Sequence, residues 1–109
     1  MPNYEEKAGN LLMKLAGDFT ARESNRTSLI TVTNVMIKEH GRTAVFLITV
    51  LPDSETDTAL AFMKRKRSDF REYIKKNTRL KTIPVVDFEL DKGEKYRQHI
   101  DDISRDIVV

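Results

Sequence analysis

Residues 62–70 read Phe62-Met63-Lys64-Arg65-Lys66-Arg67-Ser68-Asp69-Phe70. Whether this stretch is one helix or two decides the fold. Ala59, Phe62, Met63, Phe70, Tyr73 and Ile74 recur at helical spacing. One turn of about 3.6 residues onward from Met63, or back from Phe70, falls between Lys66 and Arg67. A single straight helix would therefore aim a cation at its own core, which is costly unless the charge snorkels outward or meets a partner. Ser68 and Asp69 are good N-cap residue types, and Asp69 with Glu72 resembles a capping box. The pattern predicts two helices, roughly 55–66 and 69–77, meeting at a kink. The four cations would then stand on the outer side of the bend.

Upstream, Ala8, Leu11, Leu12, Leu15, Ala16 and Phe19 predict a first helix, with Asn3 as its cap. The stretch from Thr20 to Ser28 breaks the pattern and reads as a loop. Ile30 and Val32 then alternate with threonines, and the apolar frame moves to Val35 and Ile37. That gap of three would flip the strand, so a bulge near Thr33-Asn34 is expected to restore its face. Glu39-His40-Gly41-Arg42 is a turn, and Thr43 to Leu51 is a second strand with Ala44, Phe46, Ile48 and Val50 on one face. Pro52 ends it, and Asp53, Ser54 and Thr56 are candidate caps for the helix that follows. Pro84 leads into a third strand in which Val86, Phe88 and Leu90 alternate with Val85, Asp87 and Glu89. Tyr96, Ile100, Ile103 and Ile107 predict a last helix. Three short strands need helices over one face of their sheet.

The 109 residues suit one domain, residues 1–109. With no cysteine there is no disulfide and no thiolate metal site. The N-terminus lacks the pattern of a signal peptide, and no apolar run is long enough to span a bilayer. The net charge of +2 hides an asymmetry. Nine of the 19 Lys and Arg residues fall within residues 61–85, which hold only two acids, Asp69 and Glu72. A cluster of this kind can make a local anion-binding field in a nearly neutral protein.

The order α-β-β-α-kink-α-β, with "SLITVTNVMIKEHGRTAVFLITVLPD" (28–53) and "DFREYIKKNTRLKTIPVVDFELD" (69–91), resembles the ribosome-binding factor A family. Arg79-Leu80-Lys81 followed by Ile83-Pro84 is similar to that family's basic approach to a proline-led strand. The resemblance covers about residues 5–104. The chain resembles a diverged member. Lys66-Arg67-Ser68 stands where the family usually has Ala-x-Gly, and Glu23-Ser24-Asn25-Arg26 where Asp-Pro-Arg is common. The resemblance implies an α+β, K-homology-like (type II) fold with a C-terminal helix, its three-stranded sheet covered by helices on one face. It implies a non-enzymatic assembly factor for the small ribosomal subunit, cytoplasmic and monomeric, acting in late maturation and in growth in the cold. The implied partners are the precursor subunit and its ribosomal RNA, with no DNA, membrane or cofactor.

Lys64, Arg65, Lys66, Arg67, Arg71, Lys75, Lys76, Arg79 and Lys81 are the expected RNA-binding residues, because phosphate backbones release counterions onto such a patch. Phe70 and Tyr73 lie on the apolar stripe and read as core. Gly9, Gly17, Gly41 and Gly93 all lie outside the junction of the two central helices, so a Gly-x-x-Gly clamp for single strands is absent. Recognition of folded RNA by shape and backbone is the better expectation. Catalytic residues and metal ligands are not expected. His40 reads as an exposed turn residue, His99 and Asp102 as a surface pair, Asp101-Asp102 as a weak cation contact at most, and Ser68 as a cap. The alternative reading is a small α/β protein-interaction module whose cations meet an acidic partner.

Overall fold

The computed structural model describes residues 4–24 and 27–93. The expected cap Asn3, the Asn25-Arg26 pair, the helix on Tyr96, Ile100, Ile103 and Ile107, and the candidates His99, Asp101 and Asp102 lie outside the described residues.

Helix α1 spans Tyr4–Glu23 and buries Leu12, Leu15, Ala16 and Phe19. It runs past Thr20, where a loop is expected from sequence. Burial and one tertiary contact account for the extra turn. Thr20 is itself buried, and the Arg22 guanidinium lies 4.8 Å from the centre of the Tyr73 ring.

Strands β1 (Leu29–Lys38) and β2 (Thr43–Leu51) form an antiparallel hairpin. Its register shifts between Val32 and Asn34, so Thr33 is the extra residue of a bulge. Before the bulge Ile30 faces Val50 and Val32 faces Ile48; after it Val35 faces Phe46 and Ile37 faces Ala44. The bulge thus keeps all four β1 side chains against the core, as the shifted apolar frame demands. The connection Glu39–Gly41 is a 3-10 turn with left-handed backbone at Glu39 (φ 54°), His40 (φ 55°) and Gly41 (φ 90°). His40 is exposed, as expected.

After Pro52 a short 3-10 turn, Asp53–Glu55, leads into α2 (Thr56–Arg65). The N-cap position of α2 is held by none of the residues expected from sequence. Asp53 and Ser54 lie in the 3-10 turn, Thr56 is already helical, and Glu55 at the N-cap position makes no side-chain cap bond. Backbone bonds from Glu55 N to the Pro52 carbonyl (3.0 Å) and from Thr56 N to the Asp53 carbonyl run up to the helix start instead. Helix α3 spans Arg67–Asn77, and β3 (Val85–Leu90) pairs in parallel with β2, from Thr43–Val85 to Ile48–Leu90. The sheet order is β1-β2-β3.

All three helices pack on the face that carries Ala44, Phe46, Ile48, Val50, Val86 and Phe88. At its centre Phe70 sits 5.0 Å from Phe19, 5.1 Å from Phe46 and 5.6 Å from Phe88, ring centre to ring centre. Phe70 is fully buried, and Tyr73 packs 5.6 Å from Phe19. Both belong to the core, as their place on the stripe predicts. The fold is therefore α+β and K-homology-like, with a mixed three-stranded sheet covered by helices on one face. Among the described residues no helix is long and apolar enough to cross a membrane.

Candidate nucleic-acid interface

The two central helices meet at Lys66, whose backbone (φ −91°, ψ 6°) leaves the helical region. The predicted kink is therefore present, but its chemistry differs from the expectation. Ser68 and Asp69 are not caps; both lie inside the first turn of α3, whose N-cap position is Lys66, without a side-chain cap bond. Backbone bonds span the joint without help. Lys66 N donates to the carbonyls of Phe62 (3.2 Å) and Met63 (3.0 Å), and Phe70 N donates to the Lys66 carbonyl (2.9 Å). Arg67 completes the joint, since its Nε donates to the Lys64 carbonyl at 2.9 Å, one of the groups a helix end leaves without a partner.

The bend also answers the problem of the buried cation. Lys66 is only half-buried; its Nζ lies 5.6 Å from the centre of the Phe62 ring and 3.7 Å from Asp69 Oδ2. Met63 before it and Phe70 after it remain fully buried. The position between them is lifted off the core, and the charge rests on an aromatic face.

Lys64 and Arg67 do not stand free on the outside of the bend. Lys64 Nζ reaches β3 and binds Asp87 Oδ1 at 3.0 Å and Glu89 Oε1 at 3.1 Å. Arg67 Nη1 joins Asp87 Oδ1 at 3.3 Å. Burial of the Lys64 ammonium works against its charge, yet the hydrogen bonds and charges of Asp87 and Glu89 outweigh it and raise its pKa. Burial likewise pushes the Asp87 carboxyl up, but the Lys64 bond, the Phe88 N–H at 2.8 Å and the charges of Lys64 and Arg67 pull it below its ordinary value. Asp69 and Glu72 are therefore not the only acids that neutralise the cluster.

Arg71 is also engaged. Its Nε donates to the Pro84 carbonyl (3.0 Å) and its Nη2 to the Ile83 carbonyl (3.2 Å), pinning the loop that leads into β3. The sequence offers one signal for these pairings. Asp87 and Glu89 alternate with buried Val86 and Phe88, so they occupy the polar side of one strand. Nothing local says that the strand lies beside residue 64.

The remaining cations are Arg65, Lys75, Lys76, Arg79 and Lys81. All five are exposed and make no side-chain hydrogen bond or ion pair among the described residues. The structure thus divides the nine expected residues into two sets. Lys64, Lys66, Arg67 and Arg71 hold the kink and the approach to β3. The other five leave their charge to solvent along the helices and the loop that follows. A further cation, Arg42 on the hairpin turn, was not singled out by sequence; it lines a groove together with Arg79 and Lys81.

Known proteins share this fold. The family model for ribosome-binding factor A matches residues 5–104. Ribosome-binding factor A of Geobacter sulfurreducens is 28% identical over 98% of this chain and 93% of its own length. The Fervidobacterium nodosum protein of the same description is 34% identical over 61% of this chain, a match that spans 54% of that relative. The crystal structure of ribosome-binding factor A from Thermus thermophilus superposes with a TM-score of 0.64 at 21% identity, covering 77% of this chain and 92% of that one. The solution structure of a Thermotoga maritima protein gives 0.70 at 24% identity, covering 85% and 92%. A homology model of the Thermus thermophilus factor, fitted into a cryo-electron-microscopy map of its 30S complex, gives 0.65 at 16% identity, covering 74% and 88%. With the family model matched from residue 5 to residue 104, this chain belongs to the ribosome-binding factor A family.

Proposed function

We propose that this chain is a non-enzymatic assembly factor that binds the precursor small ribosomal subunit through its ribosomal RNA. Arg65, Lys75 and Lys76 would dock on RNA phosphates along the helix pair, with Arg79 and Lys81 at the end of that face. Lys64, Lys66, Arg67 and Arg71 would support it by fixing the angle between the helices. The observation that carries this reading is the division of the cluster: once the fold has engaged Lys64, Lys66, Arg67 and Arg71, the other five of the nine stay exposed and unpaired among the described residues. A phosphate backbone supplies the anions such a surface lacks, by counterion release. The Thermus thermophilus relative fitted into a 30S complex supports the choice of partner.

The rings of Phe19, Phe46, Phe70 and Phe88 are buried in the core and cannot stack on bases. Contact with folded RNA through its backbone fits better than base-by-base reading. Lys64 and Asp87 are both moved toward their charged forms, as befits an ion pair that holds the kink in place.

The test is co-sedimentation with small subunits on a sucrose gradient. Arg65→Glu, Lys75→Glu and Lys76→Glu combined should abolish it while circular dichroism shows the fold retained, with melting lowered only by the modest cost of placing acids in the last turns of the two helices. Undiminished co-sedimentation of that folded variant would reject the face.

A further inference from the structure

We infer that the groove at the turn end of the sheet is a docking site for an acidic protein segment with aliphatic anchors; it borders the proposed RNA face, sharing Arg79 and Lys81 with it, and extends beyond it to Leu11 and Arg42. The groove measures about 760 Å³ and lies between α1, the hairpin turn and the loop 78–84. That size is within the usual range for a built ligand site, roughly 300–1,000 Å³. Its apolar lining is aliphatic and comes from three directions: Leu11 and Leu12 on α1, Ile37 on β1 and Leu80 on the loop. Leu11 is 38% exposed, a large apolar side chain left open to solvent at the groove. The charged lining residues are Arg42, Arg79 and Lys81, with His40 beside them, and among the described residues no carboxylate lines the groove. Glu39, the nearest acid of the turn, is not among the lining residues, and its carboxylate accepts a bond from the Thr43 hydroxyl at 3.4 Å.

Charge complementarity sets the sign of the partner, and the floor sets its class. Single-stranded nucleic acid binds such grooves by laying bases on aromatic rings. Among the described residues no Phe, Tyr or Trp lines this one, and His40 at the exposed turn is the single aromatic ring on its rim. Leucine and isoleucine instead match the aliphatic side chains of a peptide whose anchors recur on one side, with its acids falling on the cationic rim. The walls are also held in place. Val85 N donates to the Arg42 carbonyl at 2.8 Å, and Arg71 grips the Ile83 and Pro84 carbonyls, so turn and loop are tied to one another and to α3.

The experiment uses the full chain and a displayed library of random short peptides. Selection should yield acidic sequences carrying two or more spaced aliphatic residues. A selected peptide should shift the amide resonances of Leu11, Arg42 and Leu80. Leu11→Gln and Arg42→Gln should each weaken it by about tenfold, in the range of an interface anchor, with unchanged melting. Lys75→Glu, on the proposed RNA face, should leave peptide affinity unchanged, which separates this site from that reading. The inference is overturned if selection yields no acidic-aliphatic pattern, or if the shifts fall elsewhere. It is also overturned if a single-stranded RNA oligomer shifts the same amides and is weakened by the same two variants.

Discussion

Lys64 Nζ on α2 lies 3.0 Å from Asp87 Oδ1 on β3, so the first cation of the basic run is bound to the sheet across 23 positions of sequence. Arg67 meets the same oxygen from the first turn of α3. One carboxylate therefore gathers a cation from each side of the kink, and the angle between the helices is fixed against the edge strand. The arrangement couples the geometry of the proposed RNA face to the charge state of Asp87.

That coupling has a signature in pH. The Asp87 pKa is lowered from 3.8 in the fold, so its contribution to stability is complete above that value and is lost as pH falls through the depressed one. The Lys64 pKa is raised from 10.5, so its contribution is complete below that value and is lost as pH rises through the elevated one. The melting temperature of the unaltered protein should fall more steeply on acidification below 3.8 than that of Asp87→Asn. A double-mutant cycle of Lys64→Gln with Asp87→Asn should give a coupling of about 0.5–1 kcal/mol, since both side chains are about one-third exposed. A coupling of zero would mean that solvent has the pair.

The sequence showed where the chain must bend but not how the bend is made. The apolar frame at Val32 and Val35 can face the core only with one extra residue between them, and the bulge lies there. The spacing from Met63 to Phe70 likewise forces the cation problem at Lys66. Ser68 and Asp69 were legible as cap types, yet the joint keeps its backbone bonds and needs no cap. Capping propensity is local, whereas the groups that settle Lys64 and Arg67 lie 20 or more residues away on β3. The groove was hidden for the same reason: Leu11, Arg42 and Arg79 meet only after the sheet has formed.

Arg71 should be sensitive to a change that keeps its charge. Its guanidinium donates through Nε and Nη2 to two successive carbonyls, Pro84 and Ile83. A lysine ammonium lacks the planar fork needed for that pair. Arg71→Lys should therefore destabilise the protein by about 1–2 kcal/mol in urea unfolding. Increased amide exchange should appear in the loop 78–84 and at the start of β3. Equal stability of the two proteins would show that the loop holds its course without the clamp.

Thr20 offers the opposite case. It is 2% exposed, and its hydroxyl has no hydrogen-bond partner among the described residues. Valine has nearly the same shape and no polar atom to leave unsatisfied. Thr20→Val should stabilise the fold by about 1 kcal/mol, raising the melting temperature by several degrees. A loss of stability would reveal that the hydroxyl has a partner, such as an ordered water.

The division of the cations predicts different responses to salt. A lysine that meets a phosphate releases counterions, and each such contact adds about 0.7–0.9 to the slope of log affinity against log salt. Lys75→Gln and Lys76→Gln should each weaken binding to small-subunit ribosomal RNA and reduce that slope by about this amount. Both side chains are exposed, so their melting temperatures should not change. Lys64→Gln should do the reverse: a lower melting temperature, with the salt slope retained, because its charge is already met by Asp87 and Glu89. Titrations at several salt concentrations, run beside thermal melts of the same variants, distinguish the two sets. If Lys64→Gln lowers the slope as much as Lys75→Gln does, the ion pair opens on RNA and Lys64 belongs to the binding face.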